Sequence, residues 1–262
     1  MPTHAAACFL SSATTWTAGI AAVGLGATSL GYAALYNNSQ VFAPVISEIQ
    51  DKGAVALSFD DGPTSPFTPQ ILKILDTYAA KATFFLIGVN AAREKQLVRE
   101  ITDRGHTIGN HTWNHDHSGT LRGAGYWQDE MMRTQDILHH AAGLIPALFR
   151  APMGFKTPAQ AKAARQLGLH YIGWRRRGFD TLKTTPQHIS RRISLGLRPG
   201  AIVTLHDGIE PARLHLSQQC TVDALPQILQ SMRDKQLAGK ALHTALPFSA
   251  YQNLPLNTPR HT

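Results

Sequence analysis

The sequence predicts an α/β protein, a barrel of βα units with about seven parallel strands. Three observations predict it. Short apolar or β-branched runs alternate with helical runs from residue 52 to residue 246, with no gap long enough for a domain boundary, and such alternation builds a parallel sheet. The residues suited to chemistry, Asp60-Asp61, His111, His115, Arg150, Asp180 and His206-Asp207, all fall where strand-like runs end. In a parallel barrel those ends share one face, where active sites are built. No Gly-x-Gly-x-x-Gly follows the first strand, which counts against a dinucleotide-binding open sheet.

The chain divides into an apolar leader (residues 1–47), a catalytic domain (48–246) and a polar, irregular tail (247–262). The leader holds no Lys, Arg, Asp or Glu, and residues 5–36 are apolar or small. A bilayer span needs about 20 such residues, so this stretch is expected to attach the protein to a membrane or to export it. The protein is thus expected outside the cytoplasm, anchored or secreted.

The first buried strand is Val55-Ala56-Leu57, leading into Ser58-Phe59-Asp60-Asp61 and stopped by Gly62-Pro63. Thr68-Pro69 reads as a helix N-cap and first-turn proline, with Ile71, Ile74, Leu75 and Tyr78 at helical spacing. Residues 82–87 form the next strand. One helix is expected over 90–104, closing on Gly105. A short strand over 106–109 follows, then a helix over 126–142 closing on Gly143. Leu148-Phe149 leads to Arg150. Thr157-Pro158 opens a helix that closes on Gly168, and residues 170–174 form a strand. Thr185-Pro186 opens another helix. Residues 201–205 form a β-branched strand, residues 222–237 a helix closing on Gly239, and residues 241–246 a last strand.

Lys and Arg number 25 against 17 Asp and Glu, a net charge of +8. That balance suits an anionic envelope polymer or membrane surface. No Lys/Arg run has interleaved aromatics, so nucleic acid is not expected as a partner, and no protein partner is indicated. Cys8 and Cys220 are far apart and do not form a disulfide scaffold.

Two adjacent carboxylates at a strand end repel each other unless a cation is near, and a divalent metal is the usual remedy. His111 and His115, four residues apart, face the same way if they sit on a helical turn. His-x-x-x-His with one carboxylate is a common facial set for Zn²⁺. His106 reads as structural, and His117 as a minor candidate ligand. One Asp of the pair can bind the metal while its neighbour takes a proton from water. His206 is placed to protonate a leaving group. Asp180 can hold that imidazole charged, and Arg150 can hold the base carboxylate ionised.

These stretches resemble the signatures of a known family. Ser-Phe-Asp-Asp-Gly-Pro (58–63) resembles the first motif of the polysaccharide deacetylase, or NodB-homology, family, carbohydrate esterase family 4. Gly-His-Thr-Ile-Gly-Asn-His-Thr-Trp-Asn-His (105–115) resembles the second, and Arg-Ala-Pro-Met-Gly (150–154) the third. Trp174 with Asp180 resembles the fourth, and Leu-His-Asp (205–207) the fifth. The resemblance runs from about residue 52 to residue 246.

It implies a distorted (β/α) barrel and metal-dependent removal of acetyl groups from an N-acetylglucosamine-containing glycan of chitooligosaccharide, peptidoglycan or exopolysaccharide type, or from a glycolipid. By the resemblance, Asp60 is the catalytic base and Asp61, His111 and His115 bind the metal, commonly zinc, with Co²⁺ or Ni²⁺ as alternatives. His206 is the acid, Arg150 tethers Asp60, and Asp180 tethers His206. The Met153 N–H stabilises the oxyanion. Leu205 lines the pocket for the acetyl methyl, with Pro152 and Trp174 also against the substrate. The chain departs from the family in two places. Arg177-Gly178-Phe179-Asp180-Thr181 lacks the usual first Asp and the Trp of the fourth motif, and Met153 stands where Tyr is frequent. Both bear on substrate shape, as does Arg175-Arg176-Arg177, expected near the rim. The rival readings are an O-acetyl xylan esterase or a cyclic-amide amidase on the same scaffold, and a non-catalytic glycan-binding relic. The mark of the relic is loss of the base, and Asp60 is present.

Overall fold

The computed structural model describes residues 31–213 and 217–253. Its strands are β1 (Val45–Ile46), β2 (Ala54–Asp60), β3 (Ala82–Leu86), β4 (Thr107–Asn110), β5 (Leu148–Phe149), β6 (His170–Ile172), β7 (Arg176–Arg177), β8 (Ile202–His206) and β9 (Ala238–Gly239). Around them lie α1 (Phe67–Thr77), α2 (Gly88–Arg93), α3 (Lys95–Asp103), α4 (Ala124–Ala142), α5 (Pro158–Gln166), α6 (Pro186–Leu195) and α7 (Gln219–Asp234).

The strands run β1-β6-β5-β4-β3-β2-β8-β7, with β9 added to β2, and every pairing is parallel. The sheet curls so far that its ends nearly meet. Glu48 bridges Ala201, and the Ile49 N–H donates to the Gly200 carbonyl at 2.8 Å. The result is the expected distorted barrel. β2, β3 and β8 are buried at every position, as parallel strands covered on both faces must be. α1 contributes Ile71, Leu72 and Leu75 to the core, and α7 contributes Val222, Leu225, Ile228 and Leu229.

Local signals explain two of the helix starts. Thr157 and Thr185 cap their helices, accepting from the N–H groups of Gln160 (3.1 Å) and His188 (3.2 Å), each followed by a first-turn proline. Three expectations are corrected. The helix expected over 90–104 is two, broken at Glu94. Residues 241–246 form no strand; Leu242–Thr244 is a 3₁₀ turn, and β9 lies just before it. Thr68 is not an N-cap: α1 starts at Phe67, and the Thr68 hydroxyl donates to Asp207 Oδ2 at 2.5 Å. The two-residue strands β1 and β7 carry too little pattern to be seen in sequence.

β1 lies within the segment assigned to the leader. Ahead of it, the Asn37 and Asn38 amides both donate to the Trp174 carbonyl at 3.0 Å. The buried Lys156 ammonium donates to the carbonyls of Tyr36 (2.9 Å) and Asn37 (2.8 Å). Most of the expected membrane segment, residues 5–30, lies outside the described residues, as do Cys8 and tail residues 254–262. Among the described residues no helix is long and apolar enough to cross a membrane.

Candidate active site

The strand ends converge as the fold class requires. Asp60 ends β2, and His206 ends β8 directly opposite it. β4 runs into His111, β5 into Arg150. Asp60, Asp61, His111, His115, Trp174, Met153 and His206 line one cleft at that mouth.

Asp61 adopts a left-handed backbone (φ 71°). Its carbonyl accepts from the Asn90 side-chain amide at 2.8 Å. Gly208 presses so close that a Cβ there would stand 2.1 Å from the same oxygen, so only glycine fits. The turn aims Asp61 Oδ1 at two imidazoles, 3.3 Å from His111 Nε2 and 3.5 Å from His115 Nε2.

His111 and His115 are not on a helix, contrary to the sequence reading. They sit on a loop with Thr112 (φ 66°) and His115 (φ 56°) both left-handed, and the loop folds their rings to 4.8 Å apart. Glu130 of α4 holds it. One carboxylate oxygen accepts from the Trp113 (3.0 Å) and Asn114 (2.9 Å) N–H groups, and the other from the Asn114 amide (3.1 Å).

Each imidazole is fixed from behind. His111 Nδ1 lies 2.7 Å from the Arg150 carbonyl, and His115 Nδ1 lies 2.9 Å from Glu210 Oε2. When each Nδ1 donates, the Nε2 lone pair points at Asp61. This is how metal-binding histidines are held. Asp61 Oδ1 is buried with no hydrogen-bond partner. A buried carboxylate oxygen without a partner is costly. One anionic oxygen and two imidazole nitrogens turned toward it fit a divalent cation of the zinc type. Burial works against the Asp61 charge, but His115 and His111 outweigh it and hold the carboxyl well below its ordinary range.

Beside this triad stand two charge pairs. Arg150 is fully buried and donates to Asp60 Oδ1 at 2.6 Å and to the Ser58 hydroxyl at 2.8 Å. Its guanidinium stacks on Phe85, 4.0 Å from the ring centre. His206 Nδ1 lies 2.9 Å from Asp180 Oδ1, and Asp180 Oδ2 accepts from the His206 N–H and the Thr221 hydroxyl, both at 2.7 Å. Burial disfavours the imidazolium, but Asp180, with Asp61 and Asp60 behind it, raises His206 to about 9. The cleft therefore holds an acceptor, Asp60, and a charged donor, His206, beside the triad.

The substrate-contact expectations divide. Met153 and Trp174 line the cleft. Met153 is left-handed (φ 55°), and so is Gly154 (φ 77°), where a Cβ would collide with Trp174 at 2.6 Å. Pro152 is buried beneath this turn. Leu205 packs in the hydrophobic core and its side chain also approaches Gly178, while Thr204 and His206 line the cleft. Side chains alternate along a strand, so the residue next to His206 faces away from it.

Three contributors were missed. Glu210 backs His115 and also meets His117 Nε2 at 2.7 Å and Arg213 Nε at 2.8 Å. Glu130 lies on a helix with no motif. Asp207, given no role, is buried; its isolation and the charges of Asp61 and Asp60 push its carboxyl up to about 7.

The polysaccharide deacetylase family model matches residues 47–172. A peptidoglycan-N-acetylglucosamine deacetylase of Bacillus cereus is 34% identical over 194 residues, 74% of this chain and 68% of the relative. A chitooligosaccharide deacetylase of Bradyrhizobium is 29% identical over 191 residues, 71% of this chain and 87% of the relative. The crystal structure of the Bc1960 peptidoglycan N-acetylglucosamine deacetylase superposes with a TM-score of 0.73 at 29% identity, covering 79% of this chain and 94% of that one. With its matching motifs gathered at one mouth of the barrel, the chain belongs to the polysaccharide deacetylase family.

Proposed function

We propose that this chain is a metal-dependent hydrolase that removes N-acetyl groups from an N-acetylglucosamine-containing glycan outside the cytoplasm. The observation that carries the reading is the partnerless Asp61 oxygen between two back-braced imidazoles, in one cleft with the Asp60–Arg150 and His206–Asp180 pairs. The relatives' names supply the substrate class.

Asp61, His111 and His115 would hold the ion. A bound divalent ion, Zn²⁺ in this reading and replaceable by Co²⁺ or Ni²⁺, supplies Lewis acidity that polarises the acetamide carbonyl and makes water easier to deprotonate. Asp60 accepts the proton of the attacking water, and Arg150, donating to its Oδ1, keeps that carboxylate oriented. The water oxygen bonds to the acetyl carbon and the C–N bond breaks. His206, its Nδ1 fixed on Asp180, gives the proton from Nε2 to the departing nitrogen. Acetate and a free amine leave. The Met153 N–H donates to the charge developing on the carbonyl oxygen, a type of contact whose loss costs about 3–4 kcal/mol in other hydrolases.

The test is acetate release from chitooligosaccharides and from acetylated xylan, with metal supplied. Release from the first and little from the second is expected. Asp60→Asn should lower kcat by about 10²–10⁴-fold. Activity that survives this substitution contradicts the mechanism, and tight oligosaccharide binding with no acetate released contradicts the enzyme assignment.

A further inference from the structure

Next to the cleft lies a second concavity of about 730 Å³, within the roughly 300–1,000 Å³ of small-ligand sites. Five arginines line it: Arg175, Arg176, Arg177, Arg192 and Arg198. Met153, Trp174 and Arg177 belong to the groove and the cleft alike, so the two are continuous.

β7 sets this arrangement. Arg176 and Arg177 pair with Val203 and Thr204 of β8, and Thr204 lines the cleft. Arg177 therefore stands at the rim, one register step from the reacting groups. Arg176 lies over Gly196, where a Cβ would collide with its guanidinium.

The positive charge is only partly answered. Glu48 pairs with Arg175 (3.0 Å) and Arg198 (2.5 Å) at one end. No ion pair joins Arg176, Arg177 or Arg192 to an acid among the described residues, and Arg177 Nε is buried with no partner. Aromatic rings hold the guanidiniums in place instead. Arg177 lies 5.9 Å from the Trp174 ring centre and 5.5 Å from that of Phe179, and Arg192 lies 4.2 Å from that of Phe179. Arg192 Nε also donates to the Arg177 carbonyl at 3.0 Å. Guanidiniums held near rings rather than paired with acids keep N–H groups for bidentate bonds to an oxyanion. The fourth-motif departures lie here, with Arg177 and Phe179 flanking Gly178.

We infer that this groove is an oxyanion subsite of the cleft, in which Arg177, with Arg176 and Arg192, takes a carboxylate or phosphate carried by the glycan next to the sugar being deacetylated. The inference rests on the proposed deacetylase reading and narrows its substrate class to acidic acetylated glycans.

The metal-loaded wild type and the R176Q/R177Q variant are compared by kcat/KM on three substrates. These are neutral tetra-N-acetylchitotetraose, an alternating N-acetylglucosamine–N-acetylmuramic acid tetrasaccharide bearing carboxylates, and a chitobiose glycan bearing a phosphomonoester. The wild type is expected to prefer one acidic substrate over the neutral one by about tenfold or more, the scale of charge-assisted hydrogen bonds. The preferred substrate identifies the anion. That preference should shrink in high salt and fall to near parity in the variant. Where the double variant does not fold, R176Q alone carries the comparison. Equal kcat/KM on all three substrates, or a preference that survives the substitution, overturns the subsite. Acetate released from none of them overturns the deacetylase reading instead. The subsite is then decided by calorimetric binding of the same glycans to the wild type, with tighter acidic binding supporting it and equal binding overturning it.

Discussion

His206 is the side chain whose charge decides what the cleft can donate. Its pKa is raised from 6.5 to about 9 against the cost of burial, chiefly by Asp180. Activity should therefore hold through neutral pH and fall along an alkaline limb at or somewhat below about 9, since a bound cation offsets the Asp61 charge and lowers the limb. Asp180→Asn should move this limb toward lower pH in kcat against pH, a shift that a merely structural Asp180 would not produce. The stability linkage has the same sign. A raised folded pKa gives a contribution that is full below 6.5 and lost as pH rises through about 9. The residues gathered in the cleft were legible in sequence because they sit in short motifs with fixed spacing. Glu210 was not: it follows His206 by four residues but acts on His115, ninety-five residues before it, and nothing local marks such a contact.

The barrel elements act through the loops they carry. The loop of His111 to His115 has two left-handed residues and no helix to stiffen it, and its main-chain brace to α4 is the Glu130 carboxylate. Glu130→Ala should leave the fold intact while weakening metal affinity, roughly 10–100-fold by analogy with other outer-shell partners, measured by competition with a chelator. Unchanged affinity would show that the loop holds its shape without α4. The long strands β2, β3 and β8 were visible because each is a continuous apolar run. β1 and β7 were not, because two residues form no pattern. The break at Glu94 was missed because Leu97, Val98 and Ile101 keep a helical period after it.

At the scale of the whole molecule, the N-terminal region joins the domain before β1. Residues 37–46 are built into the domain through Asn37, Asn38 and β1. We propose that the uncharged stretch before them attaches the protein to a membrane, so the full-length product should sediment with membranes; a fully soluble product contradicts this. The expectation of a leader rests on its lack of charge, which gave no sign of its junction with the domain. Short polar contacts such as Lys156 to the Tyr36 and Asn37 carbonyls leave no trace in hydropathy.

The account depends on Asp61, His111 and His115 holding a divalent ion in this cleft. Its most direct test is elemental analysis of the purified chain after exhaustive chelation and reloading with Zn²⁺, alongside His111→Ala and Asp61→Ala. One tightly held ion per wild-type chain, lost in both variants and restored together with acetate release, is the predicted result. Equal metal content in wild type and variants, or deacetylation indifferent to chelation, contradicts it.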